Sequence, residues 1–148
     1  MKKIEARIIP SSLTYNIRNK VLWPHKELEH CTLSIDGLNS TYHVGSFFEK
    51  ELISIGTFLE EKNQNFDKKF SQYRLRAMGT LKKFEGISGG KSLLLYAIHI
   101  LQEKKINLLW CDARINAIPF YKKVGLKTKG DFYNIPLIGK HKLMYIYL

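Results

Sequence analysis

The chain has 148 residues, 45% of them hydrophobic, and carries a formal net charge of +11. A chain of this length can bury a full core as one domain, residues 1–148, without disulfides or structural metals. No apolar stretch approaches the ~18 residues that a membrane span needs, and no apolar segment follows the basic start Met1–Lys3, so we expect no membrane helix and no signal peptide.

The predicted elements alternate between strands and helices. Strands are predicted at 4–9, 28–35, 41–48, 51–59, 73–80 and 107–111, and near 127–133 and 142–147, because apolar and β-branched residues cluster between turn residues. Helices are predicted from Ser11 to about Leu22, from about Gly89 to Lys104 and from Ile115 to Val124, where apolar residues recur at helical spacing. The polar stretch 60–72 is expected to be a loop or a short helix. The order favours a mixed sheet flanked by helices.

A glycine-rich turn connects the central strand to the long helix. Residues 84–92 read Phe-Glu-Gly-Ile-Ser-Gly-Gly-Lys-Ser. Such a turn, followed by a helix N-terminus, directs several backbone N–H groups to one point and favours a bound phosphate. The charge distribution agrees, since residues 75–148 carry 13 Lys/Arg against 4 Asp/Glu.

Two known phosphate-binding loops compete for this segment. A P-loop would end in Gly-Lys-Ser, as Gly90-Lys91-Ser92 does, but its first glycine would have to stand at position 85, which is Glu85. The pyrophosphate loop of the GNAT acetyltransferases has the pattern Gln/Arg-x-x-Gly-x-Gly/Ala, which aligns with Glu85, Ser88 and Gly90. Two of these three positions depart from that pattern.

The rest of the chain resembles the GNAT family in the same order. Residues 107–126 are similar to the family segment that ends in Phe-Tyr-x-Lys-x-Gly-Phe, with Phe120, Tyr121 and Gly125 in place. The tail Gly139-x-His141-x-x-Met144 resembles one bacterial branch of the family. Shorter similarities lie at Arg18-x-x-Val21-Leu22, His43-x-Gly45 and Arg76-x-Met78.

The resemblance implies an α/β (α+β) GNAT fold, in which helices flank a mixed, mostly antiparallel twisted sheet of about seven strands. It implies an enzyme, an N-acetyltransferase that transfers the acetyl group of acetyl-CoA directly to a primary amine. The acceptor, whether a small molecule or a peptide, is not identified by the sequence. The residues expected to bind coenzyme A are Met78, Gly79, Thr80, Glu85, Gly86, Ile87, Ser88, Gly89, Gly90, Lys91 and Arg114.

The resemblance also implies individual roles. Tyr121 matches the family tyrosine that protonates the departing CoA sulfur. The strand edge at Met78–Thr80 would hydrogen-bond the pantetheine arm as an added strand. Gly79 would allow that close approach or, alternatively, mark a bulge. Arg114 stands where relatives carry an Asn that contacts the pantetheine.

The general base and the acceptor contacts are less well specified. His43 and His141 are the candidate bases that titrate near neutral pH, and Glu49 or Glu51 could act through water. Arg76 is expected on a central, largely buried strand, where a charge needs a partner. It would either form an internal ion pair or bind an acidic group of the acceptor.

Other classes of function receive little support. The five histidines and the two cysteines, Cys31 and Cys111, lack metal-ligand spacing, so no metal is expected and the cysteines are predicted to be buried, reduced thiols of a cytoplasmic protein. A basic nucleic-acid-binding module is the alternative function, although no helix-turn-helix or aromatic-basic strand signature is present. A homodimer is expected only as the common case for small folds.

Overall fold

A computed structural model describes residues 3–148 and shows one seven-stranded mixed sheet. The spatial order of the strands is β1-β2-β3-β4-β5-β7-β6, and every neighbouring pair is antiparallel except β4 and β5. The strands are β1 at Ile4–Ile8, β2 at Tyr42–Phe48, β3 at Glu51–Glu60, β4 at Gln72–Thr80, β5 at Leu108–Arg114, β6 at Lys127–Ile135 and β7 at Gly139–Tyr147. This is the predicted GNAT architecture.

Helices cover both faces of the sheet. The main core lies under α2, at Gly89–Glu103, which packs Leu93, Leu94 and Ala97 against the apolar face of the strands. The helix α3, at Ile118–Val124, follows a 3-10 turn at Ile115–Ala117. No helix within residues 3–148 is long and apolar enough to cross a membrane.

The first helical segment is irregular. It consists of a 3-10 turn at Ser11–Thr14, the short α1 at Tyr15–Ile17 and a π-helical turn at Arg18–Leu22. Two other 3-10 turns lie at Leu28–His30 and Lys82–Phe84.

The strand predicted at 28–35 is wrong. A 3-10 turn at Leu28–His30 and further turns occupy this stretch, and the backbone N–H groups of Asp36 and Leu38 bond to the carbonyls of Leu33 and Ile35. The segment is held by side chains instead: Arg18 donates to the Cys31 carbonyl, and Asp36 accepts from the Leu33 N–H. The strand-like spacing of apolar residues in this segment therefore belongs to a loop and not to a strand.

The sheet is split between β4 and β5. The two strands pair only from Gln72 to Arg74 against Leu108 to Trp110, after which β4 stays with β3 and β5 stays with β7. A bulge in β4 marks the separation, because Gly79 pairs with Ile55 while Arg76 pairs with Thr57, which leaves one extra residue on β4. Ala77 takes a left-handed φ of 53° at this point. Bulges bend a strand and redirect its side chains, so a wedge-shaped gap opens in the middle of the domain.

Candidate active site

The first of two cavities lies on the α2 side of the gap and has a volume of about 490 Å³. It is bounded by the end of β4, the glycine-rich turn, the start of α2 and one side of α3. Nine of the predicted cofactor residues line it: Met78, Gly79, Thr80, Glu85, Gly86, Ser88, Gly89, Gly90 and Lys91. These residues, which were predicted together from the sequence, therefore lie around one cavity in the fold.

The glycine-rich turn is shaped to expose backbone N–H groups. Ser88 adopts the left-handed region with φ 72°, and the first helical hydrogen bond of α2 runs from the Ser92 N–H to the Ser88 carbonyl. The N–H groups of the residues between them have no partner within the helix and carry the positive end of its dipole. Lys91 and Lys123 add positive charge to the same cavity, so this cavity can hold a pyrophosphate.

Two glycines lie at close contacts between elements. A Cβ on Gly89 would lie 2.6 Å from Ser54 Oγ and 2.9 Å from Ile53 Cδ1, so only glycine lets α2 begin this close to β3. A Cβ on Gly79 would lie 3.1 Å from Val21 Cγ1. The first helical segment therefore packs closely against Gly79, and the bulge itself lies at Ala77.

The second cavity, of about 430 Å³, lies between the separated strands on the other side of the gap. Its walls come from β4, β5, the π-helical turn and the β6–β7 hairpin. The polar residues that line it are Arg74, Arg76, Asp112, Arg114, Tyr121 and His141. Three residues, Met78, Ala117 and Tyr121, line both cavities.

Tyr121 thus stands where the cavities meet. It lies on α3, is 8% exposed, and its phenol oxygen is 3.8 Å from Met78 Sδ. The helix ends at Gly125, whose φ of 117° lets the N–H groups of Gly125 and Leu126 bond back to the Tyr121 carbonyl. Burial raises the pKa of the Tyr121 phenol well above 10, with Cys111 adding to the effect and Arg114 opposing it. The phenol therefore keeps its proton at neutral pH.

His141 lies on β7 and contributes to the wall of the second cavity. It is 3% exposed, pairs with Arg114 across the β5–β7 ladder and stacks on Tyr133 with ring centroids 6.3 Å apart. Its Nδ1 is 2.8 Å from the Gly139 carbonyl oxygen. A carbonyl only accepts, so Nδ1 carries the proton and Nε2 keeps its lone pair in the neutral ring. Within residues 3–148, Nε2 has no hydrogen-bond partner.

Comparison with known proteins agrees with this geometry. No family model matches the chain. The chain is 36% identical over 142 residues to the uncharacterized N-acetyltransferase YitI of Bacillus subtilis (strain 168), which covers 96% of this chain and 95% of that protein. This chain belongs to the GNAT N-acetyltransferases. It is accordingly an enzyme that uses acetyl-CoA, as its sequence predicted, and a nucleic-acid-binding module is not favoured.

Solved structures support the GNAT fold. FeeM, an N-acyl amino acid synthase from uncultured soil microbes, superimposes with a TM-score of 0.77 at 12% identity, covering 99% of this chain and 92% of FeeM. An aminoglycoside 6'-N-acetyltransferase complexed with coenzyme A gives the same TM-score at 9% identity, covering 97% of this chain and 96% of that chain. At such identities the likeness concerns the fold alone.

The predicted site residues not yet placed lie outside the first cavity. Arg114 and Arg76 line the second cavity, and Ile87 lines neither cavity. His43 also lines neither of them: it is buried on β2, with Nδ1 3.0 Å from Thr57 Oγ1 and Nε2 3.0 Å from the Asp36 carbonyl oxygen. Within the described part of the chain, no group of three or more His, Cys, Asp or Glu could hold a metal ion.

Sequence reasoning missed several residues of the site. Phe84, Phe120, Lys123 and Val124 line the first cavity. Residues of the second cavity were missed because they come from the π-helical turn and the β6–β7 hairpin, which only the fold brings near β4. The members of this group are Val21, Leu22, Trp23, Ile135 and Ile138. Arg74 on β4 and Asp112 on β5 also line the second cavity and were missed. The one signal in the sequence for these missed residues was the basic pair Lys122-Lys123 next to Tyr121, since a basic pair near a phosphate loop suits an anionic ligand.

Proposed function

We propose that this GNAT enzyme transfers the acetyl group directly between its two cavities, with acetyl-CoA in the first and a primary amine in the second. The observation that carries this proposal is that Tyr121 lines both cavities. A direct transfer needs the two substrates to meet at one point, with a proton donor and a proton acceptor beside it. The junction at Met78, Ala117 and Tyr121 offers that point.

The first cavity suits coenzyme A on the chain's own chemistry. Unpaired N–H groups at the start of α2 and the side chains of Lys91 and Lys123 would hold the phosphates. When bound, acetyl-CoA supplies an acetyl group activated as a thioester. Glu85 at the cavity wall is the exception, since its carboxylate opposes a phosphate.

Tyr121 is proposed to donate a proton to the sulfur as the thiolate leaves. A phenol whose pKa is raised by burial holds its proton at neutral pH, so a proton is available beside the sulfur when the thiolate leaves. Its hydroxyl makes only a long contact, 3.8 Å, with Met78 Sδ. The proton is thus not committed to a strong acceptor within the fold.

His141 is proposed to accept a proton from the amine. The hydrogen bond from Nδ1–H to the Gly139 carbonyl fixes the tautomer, which leaves Nε2 as the basic atom. Of the two candidate histidines, His141 lines the second cavity and His43 does not. Glu49 and Glu51 lie at the β2–β3 turn and line neither cavity.

The substitution Tyr121→Phe tests the proposal. We expect kcat to fall by about 10²–10⁴-fold, the usual contribution of a general acid. Affinity for coenzyme A, measured by calorimetry, should not change because the ring remains. The matched control is Tyr147→Phe, at an exposed tyrosine on the end of β7, which should keep full turnover. Undiminished turnover in Tyr121→Phe at unchanged cofactor affinity would remove Tyr121 from the mechanism.

We also propose a cytoplasmic location. Cys31 and Cys111 are both buried and free, which suits a reducing compartment. The homodimer stays a prediction, to be checked by light scattering of the purified protein.

A further inference from the structure

The second cavity has an unbalanced charge. Three arginines, Arg74, Arg76 and Arg114, face one carboxylate, Asp112. Arg74 is engaged through both terminal nitrogens: its NH1 lies 3.1 Å from Glu61 Oε2 and its NH2 lies 2.7 Å from Asp112 Oδ2. Its buried Nε has no hydrogen-bond partner among the described residues. The second oxygen of Asp112 accepts the Tyr133 hydroxyl. Both oxygens of the Asp112 carboxylate are therefore already hydrogen-bonded within the protein.

Arg76 and Arg114 are left without such partners. Within residues 3–148, neither forms a hydrogen bond or ion pair from its side chain. Arg76 is half-buried on β4, and Arg114 is exposed at the end of β5. Burial lowers the pKa of the Arg76 guanidinium, and the neighbouring Arg74 lowers it further. The charges of Glu61 and Asp112 raise it, but both carboxylates bond to Arg74 rather than to Arg76. A half-buried guanidinium without a direct partner is stabilised when an anion binds it.

We propose that the second cavity binds an acceptor that carries a carboxylate as well as the primary amine, with Arg76 as the main contact and Arg114 as a second one. The inference rests on the proposed function and names the class of acceptor. A guanidinium presents paired N–H donors that match the two oxygens of a carboxylate. With the carboxylate held on Arg76, the amine lies in the same cavity as His141 Nε2 and the Tyr121 hydroxyl.

The placement of Arg76 in the fold supports this role. It is the last regular residue of β4 before the bulge at Ala77, and it faces the same side of the sheet as Arg74. Arg74 belongs to the internal network of Glu61 and Asp112, whereas Arg76 stands one step closer to the junction at Met78. An internal ion pair, the alternative for Arg76 that the sequence left open, is absent among the described residues.

The test uses pairs of amines that differ in one charge: glycine and glycinamide, β-alanine and β-alaninamide, 4-aminobutyrate and 4-aminobutanamide. The wild-type enzyme should acetylate at least one acid with a higher kcat/KM than its amide. Arg76→Gln should lower kcat/KM for that acid by about 10- to 100-fold, mainly through KM, because it removes a hydrogen-bonded charge. The kcat/KM for the amide should fall less, because the amide lacks the charge that Arg76 would pair with.

Three further variants sharpen the result. Arg114→Gln should act in the same direction with a smaller effect, because its guanidinium is exposed. Arg76→Lys keeps the charge without the paired donors and should recover part of the preference. Arg7→Gln is the matched control, because this substitution removes an equal charge at a residue on the edge strand β1, outside the second cavity.

Equal rates on both members of every pair, or an undiminished preference in Arg76→Gln, would overturn the inference. So would a stronger preference for aminomethylphosphonate over every acid, since that would assign the arginines to a phosphoryl group. If no amine is acetylated at all, the proposed function fails separately. In that case N-acetyl-β-alanine and its amide are titrated calorimetrically into the complex of the enzyme with coenzyme A. The inference requires that the acid binds more tightly than the amide and that this difference in affinity is lost in Arg76→Gln.

Discussion

Two clusters of similar residue types lie near β4, and they differ in how far contacts within the protein satisfy them. The buried cluster consists of Arg18, Asp36, His43 and Thr57. The cavity cluster consists of Arg76, Arg114, Tyr121 and His141. Each cluster contains arginine, histidine and a hydroxyl group, and in each the histidine lies on a strand.

The buried cluster is satisfied internally except at Arg18 Nε, which is buried without a hydrogen-bond partner among the described residues. Arg18, which is 0% exposed, donates 2.7 and 2.9 Å hydrogen bonds to the two Asp36 oxygens and further bonds to Thr57 Oγ1 and the Cys31 carbonyl. His43 is held at both ring nitrogens by Thr57 and the Asp36 carbonyl. In the cavity cluster, by contrast, His141 is held at one nitrogen and Arg76 at none within residues 3–148. Internal partners, rather than residue types, therefore distinguish the buried cluster from the cavity cluster.

The two histidines give the largest expected contrast. His141→Gln should lower kcat by about 10²–10⁴-fold, as for the loss of a general base. It should also remove the inflection that a general base gives to the low-pH side of the rate profile on a small amine. His43→Gln should leave kcat and that inflection in place. It should lower the free energy of unfolding by about 1–3 kcal/mol, because buried hydrogen-bonding groups lose their partner.

The pH–rate profile and urea unfolding of both variants check this contrast. If His43→Gln removed the inflection and His141→Gln did not, the general base would be His43, and the assignment of the two clusters would be reversed.

The two arginines give the next contrast, in stability. Arg18→Met should lower the free energy of unfolding by about 3–5 kcal/mol, the usual result of leaving a buried charge without its partner. Arg76→Met should leave it unchanged or raise it, because no internal partner is lost. Urea unfolding followed by tryptophan fluorescence measures both. In the double variant Arg18→Met with Asp36→Asn, part of the loss should be recovered, since the unpaired carboxylate is gone. Equal losses for the two single variants would mean that Arg76 is structural.

The smallest expected effect concerns acid pH. Burial raises the pKa of Asp36, but the hydrogen bonds from Arg18 and the Leu33 N–H, with the charges of Arg18 and His43, lower it below 3.8 overall. The folded state therefore releases this proton more readily than the unfolded state. Asp36 contributes its full stabilisation above pH 3.8 and loses it as pH falls through the lower, folded pKa.

Asp36→Asn should accordingly be less stable than wild type at pH 7, with a flatter decline in stability below pH 4. Thermal unfolding across pH 2.5–7 checks this difference, and Asp131→Asn, at an exposed position on β6, is the control. Parallel curves for wild type and Asp36→Asn would show that Asp36 does not supply the acid sensitivity.

The sequence predicted most of the fold and one of the two cavities. The glycine-rich turn and the start of α2 are contiguous, so local chemistry alone placed residues such as Ser88, Gly90 and Lys91 around one ligand. The second cavity was beyond such reasoning. It forms only because the bulge at Ala77 separates β4 from β5, and nothing in the residues around Ala77 predicts a left-handed φ there.

The histidines show the same limit. His43 and His141 are equally isolated in sequence, and their roles differ through Thr57, the Asp36 carbonyl and the Gly139 carbonyl, which the fold supplies. The strand predicted at 28–35 failed for a related reason. Of its apolar residues only Cys31 is fully buried, and a buried arginine and an aspartate hold the backbone as turns.

The narrow overlap between the cavities has a consequence for how such an enzyme can diverge. Among residues 3–148, only Met78, Ala117 and Tyr121 are common to both linings. Mutations at Trp23, Ile135 or Ile138 would reshape the cavity proposed for the acceptor without changing a residue that lines the cavity proposed for acetyl-CoA. A duplicated copy can thus acquire a new acceptor through drift in the π-helical turn and the β6–β7 hairpin, while its acetyl donor stays the same.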